Sequence, residues 1–268
     1  MKRKPFVAGQ FYPGRAGELR AMIKGMIDPQ ARKEKAIAVI SPHAGYVYSG
    51  PVAGAVFSSV ILPPTCVILG PAHRDITPRF AIQTSGSWTT PLGDVPIETS
   101  LAGAIMSLEP LVKDDAPAHL HEHSLEVQVP FLQFFEEAVA IVPICISYQA
   151  SYEDLAGLGR TLAKAIGGFG SDVLIVASTD MSHYISREAA AKKDNLAIEK
   201  ILALDSEGLF QTVVRENISM CGFQPVTAAL AAVKDLGALK AELIRYQTSG
   251  DVTGDYREVV GYAGIRII

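Results

Sequence analysis

The stretch 36-AIAVISPHAGYVYSG-50 decides the fold. Five of its first six residues are apolar and rich in β-branched Ile and Val, which predicts a buried strand over 36–41. Pro42 stops it, and His43 follows at once. Gly45 and Gly50 bracket Tyr46 and Tyr48. The small apolar stretch 52–61 then predicts a helix packed on the sheet. A metal-capable imidazole at the carboxyl end of a buried strand stands where open α/β sheets build their sites. The ordinary alternative is a histidine that merely closes a strand end.

The same construction recurs twice. Strand 65–69 runs into GPAHR with His73, and strand 172–177 runs into STDMSHY with His183. If these strands are parallel neighbours, the three imidazoles gather at one edge of the sheet, a set suited to Zn, Fe or Cu. Asp180, just before His183, would orient that ring or ligate in its own right. One such strand end means little; three point to a shared site.

The rest of the chain alternates strand and helix patterns. Helices are expected at 16–27, 97–109, 152–166, 187–204, 207–214 and 225–236. Further strands are expected at 80–84, 138–146, 241–248 and 258–267. Residues 85–96 read as turn-rich, and the run Trp-Thr-Thr-Pro-Leu-Gly from Trp88 as a loop able to lie over a pocket. This predicts an α/β fold with a mixed, mainly parallel sheet, in a single domain over 1–268.

Composition excludes several functions. The formal charge is -4 and no long basic cluster exists, which argues against nucleic acid. No apolar run approaches the roughly 18 residues of a membrane helix, and the start lacks a signal-peptide core, so a cytoplasmic protein is expected. No P-loop, GxGxxG or GxSxG occurs, so neither a nucleotide cofactor nor a serine hydrolase is expected.

Three cysteines cannot all pair, and none forms a CxxC. Cys66 and Cys145 fall inside predicted strands, as core residues do. Cys221 precedes a predicted helix, where a lowered pKa would make it a nucleophile or metal ligand; a buried small apolar residue is the alternative. The segment 119-HLHEHSLEVQVP-130 holds three of the six histidines. A helix starting near Glu122 would put Glu122, His123 and Glu126 on one face, as a proton shuttle beside the site. A solvated helix start is the alternative.

SPHAGYVYSG, ILGPAHR, EHSLEVQVPFLQ, STDMSHY and MCGFQPV, with FVAGQFYP ahead of them, resemble the Memo family in order and spacing. That resemblance covers essentially the whole chain. It implies a class III extradiol dioxygenase-like sandwich around a mixed sheet. It implies metal ligands at His43, His73 and Cys221, with His183, Asp180, His123 and Glu126 as polar groups around them. Some relatives carry a second histidine where this chain has Arg74. A thiolate in place of a dioxygenase carboxylate makes the site softer, suited to Fe(II) or Cu with Zn as a further fit, and argues against ring cleavage. The resemblance also implies radical-SAM and AMMECR1-type partner proteins.

Three functions follow as expectations. The first is a metal-dependent oxidoreductase acting on a small-molecule substrate. The second is a binding module whose pocket, with Tyr46, Tyr48, Trp88 and Arg74, recognises a peptide or partner protein. The third is a metal-dependent hydrolase.

Overall fold

The computed structural model describes residues 1–74 and 78–268. Its strands are β1 (Lys2–Arg3), β2 (Ala38–Ser41), β3 (Thr65–Pro71), β4 (Phe80–Ile82), β5 (Ser87–Thr90), β6 (Gly93–Pro96), β7 (Val112–Asp114), β8 (Ala140–Ile146), β9 (Val173–Ser178), β10 (His183–Ile185), β11 (Ala241–Thr248) and β12 (Val259–Ile267). Its helices are α1 (Ala16–Lys24), α2 (Tyr46–Ser58), α3 (Thr99–Leu108), α4 (Val129–Phe135), α5 (Tyr152–Gly167), α6 (Arg187–Leu202), α7 (Ser206–Arg215), α8 (Phe223–Asp235) and α9 (Gly250–Thr253).

The large sheet runs β10-β12-β2-β9-β3-β8-β4-β7, with β11 also on β12. Its centre, β2-β9-β3-β8, is parallel throughout. Antiparallel pairs flank it, β12 on β2 and β4 on β8. This is the mixed α/β sandwich expected. Of the central strands, β2, β3 and β9 are buried along their whole length, as strands covered on both faces must be. Their β-branched and apolar runs suit that position, and α8 and α5 pack together on one side. The capping box of α5, Ser151 with Asp154, sets where that helix begins.

The sequence reading misplaces some elements. Helix α2 begins at Tyr46 rather than near 52, because the tyrosines open it and Pro51 sits inside it. The stretch 85–96 is the hairpin β5–β6, paired with β1 in a three-stranded sheet. Trp88 is therefore buried under the Arg3 guanidinium, 4.3 Å from its ring centroid, rather than lying in an open loop. No helix starts at Glu122. Short 3₁₀ turns at Ala116–His119 and Glu126–Gln128 precede α4 instead. No helix among the described residues is long and apolar enough to cross a membrane.

The first twelve residues are tied down by a buried ion pair. Arg3 Nη1 lies 2.7 Å from Glu126 Oε2, with side chains 0% and 1% exposed. Arg3 also donates to the carbonyls of His119 and Glu122, at 2.6 and 2.8 Å. Glu126 accepts from Phe6 N, Val7 N and the Tyr12 hydroxyl as well. Removing one partner of such a pair leaves an uncompensated buried charge. Arg3→Met is expected to cost about 3–5 kcal/mol, read as a lower urea midpoint at neutral pH. A loss below about 1 kcal/mol, the range of a solvated pair, would show that the segment is held by other contacts.

Candidate metal centre

Register places the first elements of the site. Ser41 on β2 pairs with Ser178 on β9, so His43 and Asp180 each stand two residues beyond paired positions. His43 N accordingly donates to Asp180 Oδ1 at 2.8 Å, and Ala44 N follows at 3.3 Å. His73 stands two residues past Pro71, the end of β3, which pairs with the other edge of β9. The turn before α8 supplies Cys221. A Cβ on Gly222 would lie 2.3 Å from the Ser178 carbonyl, so only glycine lets this turn approach the end of β9.

The ligand atoms of His43, His73 and Cys221 lie within 4.8 Å of one another. The hydrogen bonds around them settle which nitrogens are free. Ser178 Oγ gives its proton to the Ser124 carbonyl, 2.6 Å away, because a carbonyl can only accept. It accepts from Gln128 Nε2, which also donates to the Pro42 carbonyl. Its remaining lone pair faces His43 Nδ1 at 3.0 Å, so Nδ1 carries the proton. The His43 Nε2 lone pair is left facing Cys221 Sγ at 3.1 Å. His73 is arranged likewise, with Nδ1 2.9 Å from Glu122 Oε1 and its backbone N donating to Oε2. His183 gives Nδ1–H to the Ser219 carbonyl at 2.8 Å. Nitrogens held this way keep Nε2 basic and oriented, as metal-ligating histidines require.

A cleft of about 350 Å³ opens over these groups. Phe11, His123, His183, Tyr184 and Tyr262 form its walls. The His123 ring stacks on His73, centroids 4.6 Å apart, and lies 5.5 Å from His43. The imidazole packed against the first two is thus His123, whereas the ligand atoms of His183 group with those of Asp180 and Cys221. Glu126 is drawn away from the site. Its carboxylate is spent on Arg3 and the N-terminal backbone, so the proton shuttle expected of it is replaced by a structural anchor. Glu122, in the same segment, is the carboxylate that reaches an imidazole. Of the residues expected to form a recognition pocket, Tyr46 is buried and donates to the Val127 carbonyl, and Arg74 lies against Phe6.

Electrostatics follow from burial. The His43 pKa is driven far down by burial, then by His123, His73 and His183 facing it. Burial lowers His123 to about 4, with Glu122 opposing. Burial favours protonated Glu122, but hydrogen bonds from His73 and Ser124 and the nearby imidazoles outweigh it and bring its pKa to about 2. Asp180 rises to about 6 through burial, against the hydrogen bonds it accepts. Burial and the Asp180 charge push the Cys221 thiol up, so its place before α8 does not by itself create the thiolate expected there. A cation would be needed to hold it ionised.

With the site built, comparison with known proteins is decisive. The family model described as "Memo-like protein" matches residues 3–266. The chain belongs to the Memo family. It is 43% identical to a MEMO1 family protein of Methanococcus maripaludis strain C5, over 100% of both chains. It is 42% identical to one of Methanopyrus kandleri, covering 99% of this chain and 98% of that one. The crystal structure of an uncharacterized protein from Escherichia coli K12 shares the fold, with TM-score 0.54 and 16% identity, over 85% of this chain and 99% of that one. The Memo family membership expected from the motifs therefore holds along the whole chain.

Glu122, Ser178, Gln128 and Ser219 do their work as orienting partners, and only Glu122 carried a signal, its position beside His123.

Two pH windows follow. Unfolded, His123 protonates near pH 6.5; folded, it does so only near 4, so between these values the unfolded state binds more protons and stability decreases as the pH is lowered. His43 and His119, also lowered by burial, act in the same direction. The Glu122 contribution is present above pH 4.5 and is lost as pH falls through about 2. Urea midpoints should drop from pH 6.5 to 4, and His123→Gln should flatten that slope. An unchanged slope would remove His123 as a contributor.

Proposed function

We propose that the protein is a metal-dependent oxidoreductase acting on a small substrate, with iron or copper held by His43, His73 and Cys221. One observation carries this reading. Two imidazoles have their Nδ1 protons committed elsewhere, and these rings and a thiol bring ligand atoms within 4.8 Å of one another, with His43 Nε2 3.1 Å from Cys221 Sγ. That donor set fits a soft or borderline transition metal and excludes Mg²⁺ and Ca²⁺, which take oxygen ligands. When bound, iron or copper would supply redox chemistry and Lewis acidity at open coordination positions.

The chain's own residues do the rest. Ser178 and Glu122 hold the His43 and His73 rings in one tautomer and orientation. His123, neutral because it is buried, is able to accept a proton from a ligand in the cleft. His183, with Nδ1 fixed by Ser219, offers a second imidazole in the lining of the cleft. Phe11 and Tyr262 narrow the cleft to a small molecule.

Protein purified under argon with reductant should carry stoichiometric iron or copper by elemental analysis. His43→Ala and Cys221→Ser should each lower metal content at least tenfold while leaving the circular dichroism unchanged. Trace metal in the parent protein under these conditions would sink the oxidoreductase reading. Oxygen-uptake assays with catechols should show no sustained ring cleavage, since a thiol stands where a carboxylate ligand would be; steady turnover would contradict that.

A further inference from the structure

The edge of the sheet opposite the cleft holds a second hollow. Strands β2, β3 and β9 are parallel, so the residues just before them gather at one edge as surely as those just after them do. Residues 35–37 precede β2, residues 61–64 precede β3 and residues 171–172 lead into β9. Helices α5 and α8 finish at the same edge and bring Ile166 and Leu236 to it. Together these segments line a cavity of about 580 Å³, larger than the cleft over the metal centre. Ile37, Leu62, Ile166 and Leu236 are half-buried there, and Ile61 is 58% exposed. A contiguous apolar surface left open to water marks a contact site.

Beside this hole stands a knob. Leu236 lines the cavity, and Gly237, at φ +84°, turns the chain away from α8. Two residues on, Leu239 is 90% exposed, the most exposed large apolar side chain among the described residues. Its backbone is pinned. Ala238 N donates to the Val233 carbonyl at 2.9 Å, and Leu239 N and Lys240 N both donate to the Ile268 carbonyl, at 2.8 and 3.1 Å. Ile267 pairs with Ala38 at the start of β2, so these bonds fix Leu239 at the same edge as the cavity. A turn held by three backbone bonds cannot fold the leucine back onto its own chain without breaking them.

The charges at the mouth suit a particular occupant. Lys35 Nζ lies 2.7 Å from Asp172 Oδ1, with side chains 72% and 62% exposed. So exposed a pair adds little to the stability of one chain. One positive and one negative group side by side do, however, complement their own image across a twofold axis, where the cation of one copy faces the anion of the other.

We propose that this edge is the interface of a twofold dimer of the chain, in which each copy inserts Leu239 into the other's cavity and Lys35 of one copy meets Asp172 of the other. Knob and hole lie on one face of each copy, so both are used in a single contact and the assembly closes at two chains. The cavity is ample for a leucine side chain, and burying Leu239 removes from water an apolar group that the monomer cannot cover. The interface sits at the amino ends of the central strands, so both clefts face outward and stay open. Dimer and metal centre are therefore independent of each other.

Sedimentation equilibrium of the reduced full-length protein, over a dilution series, tests this. The parent should sediment with the mass of two chains. Leu239→Asp should sediment as one chain at every concentration, with circular dichroism unchanged because the side chain it replaces stands in solvent. Leu239→Ala should raise the dimer Kd at least about a hundredfold, since two leucines per dimer lose their burial. Lys35→Glu should weaken the dimer by setting like charges opposite each other, and Lys35→Glu combined with Asp172→Lys should restore it. Metal content should be the same in all of these variants, whatever its value in the parent. A parent that sediments as one chain throughout would overturn the dimer, as would a dimer that Leu239→Asp leaves intact. Species larger than two chains would overturn the closed twofold contact. A monomeric parent that binds decanoate, and loses it on Ile37→Asp, would give the cavity to a small amphiphile instead.

Discussion

The site depends on parallel register. Once β2, β9 and β3 lie side by side in the same direction, every residue just past their carboxyl ends is delivered to one edge. The register Ser41↔Ser178 and Leu69↔Ala177 leaves no freedom in which loop residues meet. Slipping a strand by one residue would turn its side chains to the opposite face and bury the wrong set. The core therefore enforces the site: apolar packing on both faces of the sheet sets the register, and the register sets the ligand positions.

The second constraint is polar. The wall formed by residues 119–128 has little regular structure of its own, so its backbone must be satisfied from outside. Arg3 does this for the His119 and Glu122 carbonyls, and Glu126 does it for the Phe6 and Val7 amides. The N-terminal segment thereby becomes part of the cleft, with Phe11 against His123 at 4.9 Å. A wall built on a buried ion pair is specific in geometry, because a shifted partner leaves a charge unpaired in a low-dielectric interior. That rigidity is what keeps Glu122 on His73, and His73 aimed at Cys221.

The features legible in the chain were those with local chemical signatures. Buried strands announced themselves as β-branched runs, and helices α1 and α5 through apolar spacing. Strand-end histidines stood out by repetition. Less legible were elements whose identity comes from partners. β10 is three residues long and exists because β12 lies beside it. Trp88 looked like a pocket residue because its loop is rich in turns, yet pairing with β1 pulls it beneath Arg3. Glu126 and Glu122 share a spacing that suggested equal roles. Only their long-range partners, residues 3–12 for one and His73 for the other, separate an anchor from an orienting carboxylate.

By itself the amino-acid sequence determined the mixed α/β class, the family and the candidate ligands, because strand propensity, periodicity and motif residues are properties of short segments. Tertiary structure alone decided which imidazoles are neighbours, that burial raises the Cys221 thiol in pKa, and that the turn before α8 brings Cys221 to His43 and His73. Those outcomes turn on distances and burial among residues up to 178 positions apart, as His43 and Cys221 are, and no local pattern encodes them.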